Sequence, residues 1–329
     1  MRHRHRPGLE SNMSHAVVIL CPGQGAQAIG MGKAWADASP AARAVFEEAD
    51  ETLRDLPGGA RLSELCWNGP ADLLNRTDVS QPALYTAGIA CWRALRERQP
   101  DLAVRAAAGL SLGEYTALHI AGAVGFADGL RLVALRGRLM QQAAEASKGS
   151  MVALIGADDA QAQAVCDAAA QGEVLVSANF NAPGQIVLSG HAAACQRAVE
   201  AASTMGFRAT ALQVAGAFHS PLMAPAADGL AKALASVEFR PLATDVWSNV
   251  TAKAHDRNSP ETVKKLLVEQ LVRPVRWSQS CADLIGSLRS SSSDGSAMPK
   301  GYEMAPGTVL KGLMRRIDRA FEVTSHDAP

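Results

Sequence analysis

The chain has 329 residues, 48% of them hydrophobic and 19% charged, with 32 basic side chains balancing 32 acidic ones. That composition describes a globular chain of one or two domains and excludes a general nucleic-acid binder, which needs a basic excess. No run approaches roughly eighteen uninterrupted apolar residues, which excludes a membrane-spanning helix.

Residues 1–14 are basic and polar and lack the apolar segment of a secretory signal, which predicts a disordered extension with Met13 as an equal candidate for the start. His3 and His5 within it are poor metal ligands. Residues 16–21 (AVVILC) read as a buried strand that enters the tight turn Pro22-Gly23. Helical patterning covers 40–53 and 81–98, a small apolar strand covers 105–110, and helices follow over 112–121 and 127–146. Strands alternating with helices predict a parallel sheet covered on both faces. The middle of the chain changes character: strand 151–156, helix 158–171, strands 173–178 and 185–189, helix 191–205 and strand 207–214. That β-α-β-β-α-β order is the ferredoxin-like arrangement. The fold class is therefore α/β: a large α/β-hydrolase-like domain with a parallel sheet, made of residues 15–147 and 216–329, and an inserted ferredoxin-like small subdomain at 148–215. A strand at 245–250 and a helix near 261–271 resume the large domain, 287–296 reads as a low-complexity surface loop, and a last helix runs from Pro306-Gly307 through Arg315. Six scattered cysteines without a C-x-x-C pair predict reduced thiols in a cytoplasmic protein, with no disulfide frame and no metal site.

Gly109-Leu110-Ser111-Leu112-Gly113 matches G-x-S-x-G between a predicted strand and a predicted helix, the setting of a nucleophile elbow. The bland alternative is an N-cap serine in a glycine-flanked turn. A serine hydroxyl needs a base to become a nucleophile. His119 lies two helical turns beyond Ser111, about 12 Å along the axis, and reads as a packed helix residue. His15, His191 and His255 fall at predicted element edges and read as solvated positions. His219, in Gly216-Ala217-Phe218-His219-Ser220-Pro221, sits where the small subdomain returns to the large one and borders the cleft between them. It is either the base or the cap of the helix after Pro221.

On the helix over 127–146, Arg131, Arg138, Gln142 and Glu145 share one arc, the solvated face. Arg136 falls elsewhere, between Leu132 and Met140 on an apolar arc. A buried guanidinium requires an anion, either an internal carboxylate or the carboxylate of a substrate; the residues alone leave both open.

Together, PGQGAQ at 22–27, GLSLGEY at 109–115, LRGRLMQ at 135–141, NFNAPGQ at 179–185, GAFHSPLM at 216–223 and EQLVRPVRW at 269–277 resemble the malonyl-CoA:acyl carrier protein transacylases of fatty-acid synthesis and the related acyltransferase domains of polyketide synthases. The likeness runs from about residue 15 to residue 320. It implies that Ser111 is acylated and that His219 is its base. The backbone N–H groups of Gln24 and Leu112 would form the oxyanion hole, and Arg136 would grip the malonyl carboxylate. The carbonyl of Gln270 would orient His219. Phe218 would wall the pocket as in malonyl-selective members, although one methyl is usually worth only about 1–3 kcal/mol. Asn179 and Asn181 would lie near the cleft, or else serve only as turn formers before Pro183. The substrates implied are malonyl-CoA and phosphopantetheinylated acyl carrier protein, with no cofactor, no nucleic acid and no membrane, and with a monomer acting in fatty-acid biosynthesis. A stand-alone acyltransferase serving a polyketide synthase is the alternative, and a serine esterase or thioesterase a more distant one. Two positions depart from the family pattern: Leu110 stands where histidine is usual, and Ala305-Pro306-Gly307 replaces a more usual Gly-Pro-Gly.

Overall fold

A computed structural model of the chain describes residues 16–291 and 297–329. The extension at 1–14, with His3, His5 and Met13, lies outside the described residues, as do His15 and positions 292–296 of the serine-rich segment.

The large unit opens with β1 (Ala16–Cys21), α1 (Lys33–Ala38), α2 (Pro40–Thr52), α3 (Leu62–Asn68), α4 (Ala71–Leu74) and α5 (Thr77–Arg98). It continues through β2 (Ala103–Gly109), α6 (Gly113–Ile120) and α7 (Phe126–Ser147). A smaller unit follows: β3 (Gly149–Ile155), α8 (Asp159–Ala170), β4 (Leu175–Ala182), β5 (Gln185–His191), α9 (Ala192–Thr204) and β6 (Arg208–Ala211). The large unit resumes with α10 (Ala224–Ser236), β7 (Asp245–Trp247), α11 (Pro260–Glu269) and α12 (Trp277–Ser291), then β8 (Lys300–Met304), α13 (Val309–Ile317) and β9 (Val323–His326).

Five parallel strands form the main sheet in the order β7-β2-β1-β8-β9. β1 is central and covered on both faces. Val17, Ile19 and Cys21 enter a core filled by α2, α5, α6 and α7, whereas Val18 and Leu20 face α12 and α13. Burial on both faces is why AVVILC is continuously apolar instead of alternating. α5 is buried on every side from Thr77 to Cys91, so its polar first turn hides a helix start that lies four residues ahead of the predicted one.

In the smaller unit, antiparallel strands take the order β4-β5-β3-β6, and α8 and α9 cover the core built on Val152, Leu154, Val165 and Leu188. The β-α-β-β-α-β order and this strand sequence are ferredoxin-like, as the chain order predicts. Main-chain bonds stitch the two units together. Val275, just before α12, donates its N–H to the Ala178 carbonyl at 2.8 Å, and its own carbonyl accepts from Phe180 N–H at 2.9 Å. That stitch holds the outer part of β4 against the large unit.

Three sequence expectations need correcting. The serine-rich segment is helical as far as Ser291, because Leu284, Ile285 and Leu288 bury one side of α12. Ser290 and Ser291 donate their hydroxyls to carbonyls one turn back, so a loop-like composition sits on a helix. β8 was hidden by its polar letters, KGYEM. Glu303 within it has no solvent exposure. Its Oε1 accepts from Leu310 N–H at 2.6 Å and its Oε2 from Lys311 N–H at 3.0 Å and the Ser325 hydroxyl at 2.6 Å. The carboxylate thus serves the free N–H groups opening α13, and that helix starts at Val309 instead of Pro306. Third, the strand predicted over 245–250 stops at Trp247, where the Ser248 hydroxyl accepts from Val250 N–H and forms a turn. All six cysteines are buried and free.

Glu303→Ala should therefore strip α13 and β9 of three bonds at once. The expected loss is about 2–4 kcal/mol in urea unfolding, since each unmatched buried donor costs roughly 1–3 kcal/mol.

Candidate active site

β1 and β2 end side by side, with Cys21 opposite Gly109, and both chains turn outward at the same edge of the sheet. The carboxyl ends of adjacent parallel strands are the usual ligand edge of such sheets. After β2 the chain turns sharply into α6 with Ser111 in the left-handed region, φ 51°. That conformation costs a residue with a Cβ about 1–3 kcal/mol unless its surroundings hold it. Asn249, two residues beyond β7, provides the hold. Its Oδ1 accepts from Ser111 N–H at 2.6 Å, and its Nδ2 donates to the Gly109 carbonyl at 2.8 Å. The flanking glycines are required by contact: a Cβ at Gly109 would lie 1.9 Å from the Gly113 carbonyl carbon, and one at Gly113 would lie 2.1 Å from the Cys21 carbonyl oxygen. A Cβ at Gly23 would lie 2.2 Å from the Leu110 carbonyl oxygen, so the turn after β1 is pressed directly against the elbow.

Ser111 does not cap α6. Its Oγ lies 2.9 Å from His219 Nε2 and accepts a bond from an Arg136 terminal nitrogen at 3.1 Å. His219, between β6 and α10, is also left-handed, at φ 56°. Ser220 takes the local capping task, its hydroxyl accepting from Leu222 N–H at 3.3 Å, and the imidazole is left to face the serine. Its Nδ1 lies 2.8 Å from the Gln270 carbonyl oxygen. A carbonyl can only accept, so the proton sits on Nδ1 and Nε2 offers a lone pair to the serine hydroxyl. Burial, reinforced by the Arg136 charge, pushes the imidazole down to about 4 against the opposing pull of the Gln270 carbonyl. His219 is thus neutral, as a base must be.

Arg136 is 1% exposed. One terminal nitrogen donates to Gln81 Oε1 at 2.7 Å; the other donates to Gln270 Oε1 at 2.9 Å as well as to Ser111. Its Nε is buried without a partner, and the guanidinium stands 5.4 Å from the Tyr115 ring. Among the described residues no carboxylate pairs with it. Arg131, Arg138, Gln142 and Glu145 are exposed, so the solvated arc of α7 lies where its periodicity puts it.

Leu112 directly follows Ser111, Gln24 lies on the turn pressed against the elbow, and among the described residues neither main-chain N–H has a protein acceptor. A cleft of about 560 Å³ opens beside the serine. Gln24, Leu110, Phe218 and His219 line it from the large unit; Met151, Asn179, Asn181 and Leu212 line it from the small one. Asn179 and Asn181 belong to β4 and precede the turn at Pro183-Gly184, so they are strand residues at the cleft wall, and Asn181 Oδ1 is buried without a partner.

The sequence reading missed Gln81, Asn249 and the side chain of Gln270. It also misplaced His255, which is 4% exposed instead of solvated, with Nε2 2.8 Å from Glu114 Oε1. Only the Ser-Asn pair after β7, at the edge where the elbow lies, offered a sequence signal for Asn249. His119 is half-buried, its Nδ1 2.9 Å from the Val124 carbonyl. His191 is half-buried, with Nδ1 accepting from Val174 N–H at 3.0 Å.

Because the base is held low, labelling of Ser111 by a nitrophenyl ester should stay constant on acidification until pH nears about 4, where an unperturbed histidine would lose activity near 6.5. Arg136→Ala removes a charge that opposes protonation, so the acid limb should move upward. A pH–rate profile on folded protein checks both.

The acyl transferase domain family matches residues 18–288. The chain is 40% identical over 312 residues to the malonyl CoA-acyl carrier protein transacylase of Escherichia coli, covering 94% of this chain and 96% of that one. It superposes on the solved malonyl CoA-acyl carrier protein transacylase of Coxiella burnetii with a TM-score of 0.87 at 35% identity, covering 96% and 95% of the two chains. A malonyl-transacylase solved in complex with its type II PKS acyl-carrier protein gives a TM-score of 0.86 at 37% identity, covering 96% and 97%.

Proposed function

This chain belongs to the acyl transferase family, and we propose that it moves a malonyl group from malonyl-CoA to the phosphopantetheine thiol of acyl carrier protein, through an ester on Ser111, in fatty-acid biosynthesis. The observation that supports this reading best is Arg136, a buried guanidinium that no carboxylate touches among the described residues, one nitrogen of which lies 3.1 Å from the nucleophile. A malonyl thioester brings the missing anion to that place; an acetyl thioester does not.

His219 Nε2 takes the hydroxyl proton as Ser111 Oγ attacks the thioester carbonyl. The resulting oxyanion is received by the N–H groups of Gln24 and Leu112, and loss of one such donor typically costs about 10²–10³ in rate. The C–S bond breaks and the CoA thiolate leaves with the proton from His219. The carrier thiol then gives its proton to His219 and attacks the ester, and Ser111 departs and is reprotonated, which gives ping-pong kinetics. Only side chains, backbone donors and the two substrates take part. Phe218 walls the acyl pocket, and the Asn179 and Asn181 amides face the path of the pantetheine arm.

His219 leans on a carbonyl where a hydrolase of the G-x-S-x-G type uses a carboxylate. A carbonyl stabilises the imidazolium less, which suits an acceptor thiol, far easier to deprotonate than water. This favours transfer over the esterase or thioesterase alternative. The reactive cleft lies between residues 15–147 with 216–329 and the inserted 148–215, the domain division that we assign to the chain. No helix among the described residues is long and apolar enough to cross a membrane, and we place the enzyme in the cytoplasm as a monomer. A polyketide acceptor is the second reading, favoured by the similarity to the malonyl-transacylase solved with a PKS carrier protein.

Intact-protein mass spectrometry after mixing with malonyl-CoA should show one added malonyl group on the wild type and none on Ser111→Ala. An adduct that survives in Ser111→Ala would refute the assignment. Arg136→Ala should raise the acetyl-to-malonyl transfer ratio about 10- to 100-fold, the size expected for charge-assisted bonds worth roughly 1.5–3 kcal/mol.

A further inference from the structure

A second buried charge, Glu114, lies close to Ser111 without lining the cleft and takes no part in the chemistry above. It is 1% exposed in the first turn of α6. Its Oε2 accepts from Gln270 Nε2 at 2.7 Å and from Asn249 N–H at 3.1 Å, and its Oε1 accepts from His255 Nε2 at 2.8 Å. The Gln270 amide nitrogen and the Asn249 N–H can only donate, and both converge on Oε2, an arrangement that suits a carboxylate. His255 Nδ1 has no partner. The tautomer with its proton on Nε2 donates to Glu114 and leaves no ring N–H of His255 unmatched.

The opposite charge is Arg136, and the side-chain amide of Gln270 stands between the two. Its oxygen accepts from Arg136 at 2.9 Å while its nitrogen donates to Glu114 at 2.7 Å and to the Ser111 carbonyl at 3.1 Å. The two charges dictate which way this amide faces. Burial by itself lowers Arg136 from its ordinary range, and Tyr115 and Glu114 push it back up. A carboxylate in direct contact would steady the guanidinium equally well, but it would occupy the donors that the substrate needs. With no counter-charge nearby, a guanidinium buried to this depth would be very costly.

From this geometry we infer that Glu114, seated by His255, is a positioning residue that acts through the Gln270 amide to aim the guanidinium of Arg136 while leaving it open to the substrate carboxylate. The inference rests on the assignment of Arg136 to the malonyl group.

The test is a double-mutant cycle on the full chain, reading kcat/KM for acylation by malonyl-CoA and by acetyl-CoA. Glu114→Gln should lower the malonyl-to-acetyl ratio by about tenfold or more, and this effect should vanish in the Arg136→Ala background. An equal loss for both substrates, no loss, or an effect undiminished in that background overturns the inference. If Glu114→Gln does not fold, two His255 variants give the same information. His255→Leu deletes the donor and should lower the ratio by at least about fivefold. His255→Gln, whose amide nitrogen reaches the position of Nε2, should recover about half of that or more. Identical ratios for these two variants overturn it as well. Arg136→Ala alone separates the two levels. If it leaves the ratio unchanged, the malonyl assignment fails; if it lowers the ratio while the Glu114 and His255 changes do not, only the positioning role fails.

Discussion

The burial of one positive charge organises this site. Arg136 sits on an apolar arc of α7, almost without solvent, and among the described residues its hydrogen bonds go to neutral acceptors: Gln81, Gln270 and the hydroxyl of Ser111. A guanidinium in that position must be compensated, and the fold compensates it at one remove, through an amide that faces a buried carboxylate on its far side. The same charge helps to keep His219 neutral. One residue therefore conditions the base, touches the nucleophile and defines the anionic end of the substrate pocket.

Around that charge the backbone stores strain at two places, Ser111 and His219, each in the left-handed region. Neither conformation would persist in an isolated loop. At Ser111 it is held by the Asn249 clamp and by glycines packed so closely that no side chain fits. At His219 the imidazole is pinned on both ring nitrogens, by Ser111 and by the Gln270 carbonyl, while Ser220 supplies the local cap. Strain at a functional turn is tolerated where the surroundings over-determine it, and here elements from four separate parts of the chain converge to do so.

Gln270 is the point where these constraints meet. Its main chain orients the base, and its side chain links Arg136, Glu114 and the Ser111 carbonyl. The parallel sheet brings the ends of β1, β2 and β7 together at one edge, and the stitch of Val275 to β4 fixes the small unit across from them. The cleft thus acquires a rigid catalytic wall and an amide-lined wall from different units.

Local pattern was enough to read β1, β2, the elbow, the solvated arc of α7 and the β-α-β-β-α-β order, because each is set by neighbours a few residues away in the chain. The misplacement of Arg136 on an apolar arc was likewise legible, but not what compensates it. Tertiary structure alone decided the fate of the buried polar residues. Glu303, in a strand that its polar letters hide, proves to be a helix cap inside the sheet; His255 reads as solvated and proves to be locked onto Glu114, 141 residues away. The Gln270 amide reaches Glu114 across 156 positions. An apolar residue declares its burial in its own letter, whereas a polar one can be buried only where a partner waits, and that partner is named by the fold.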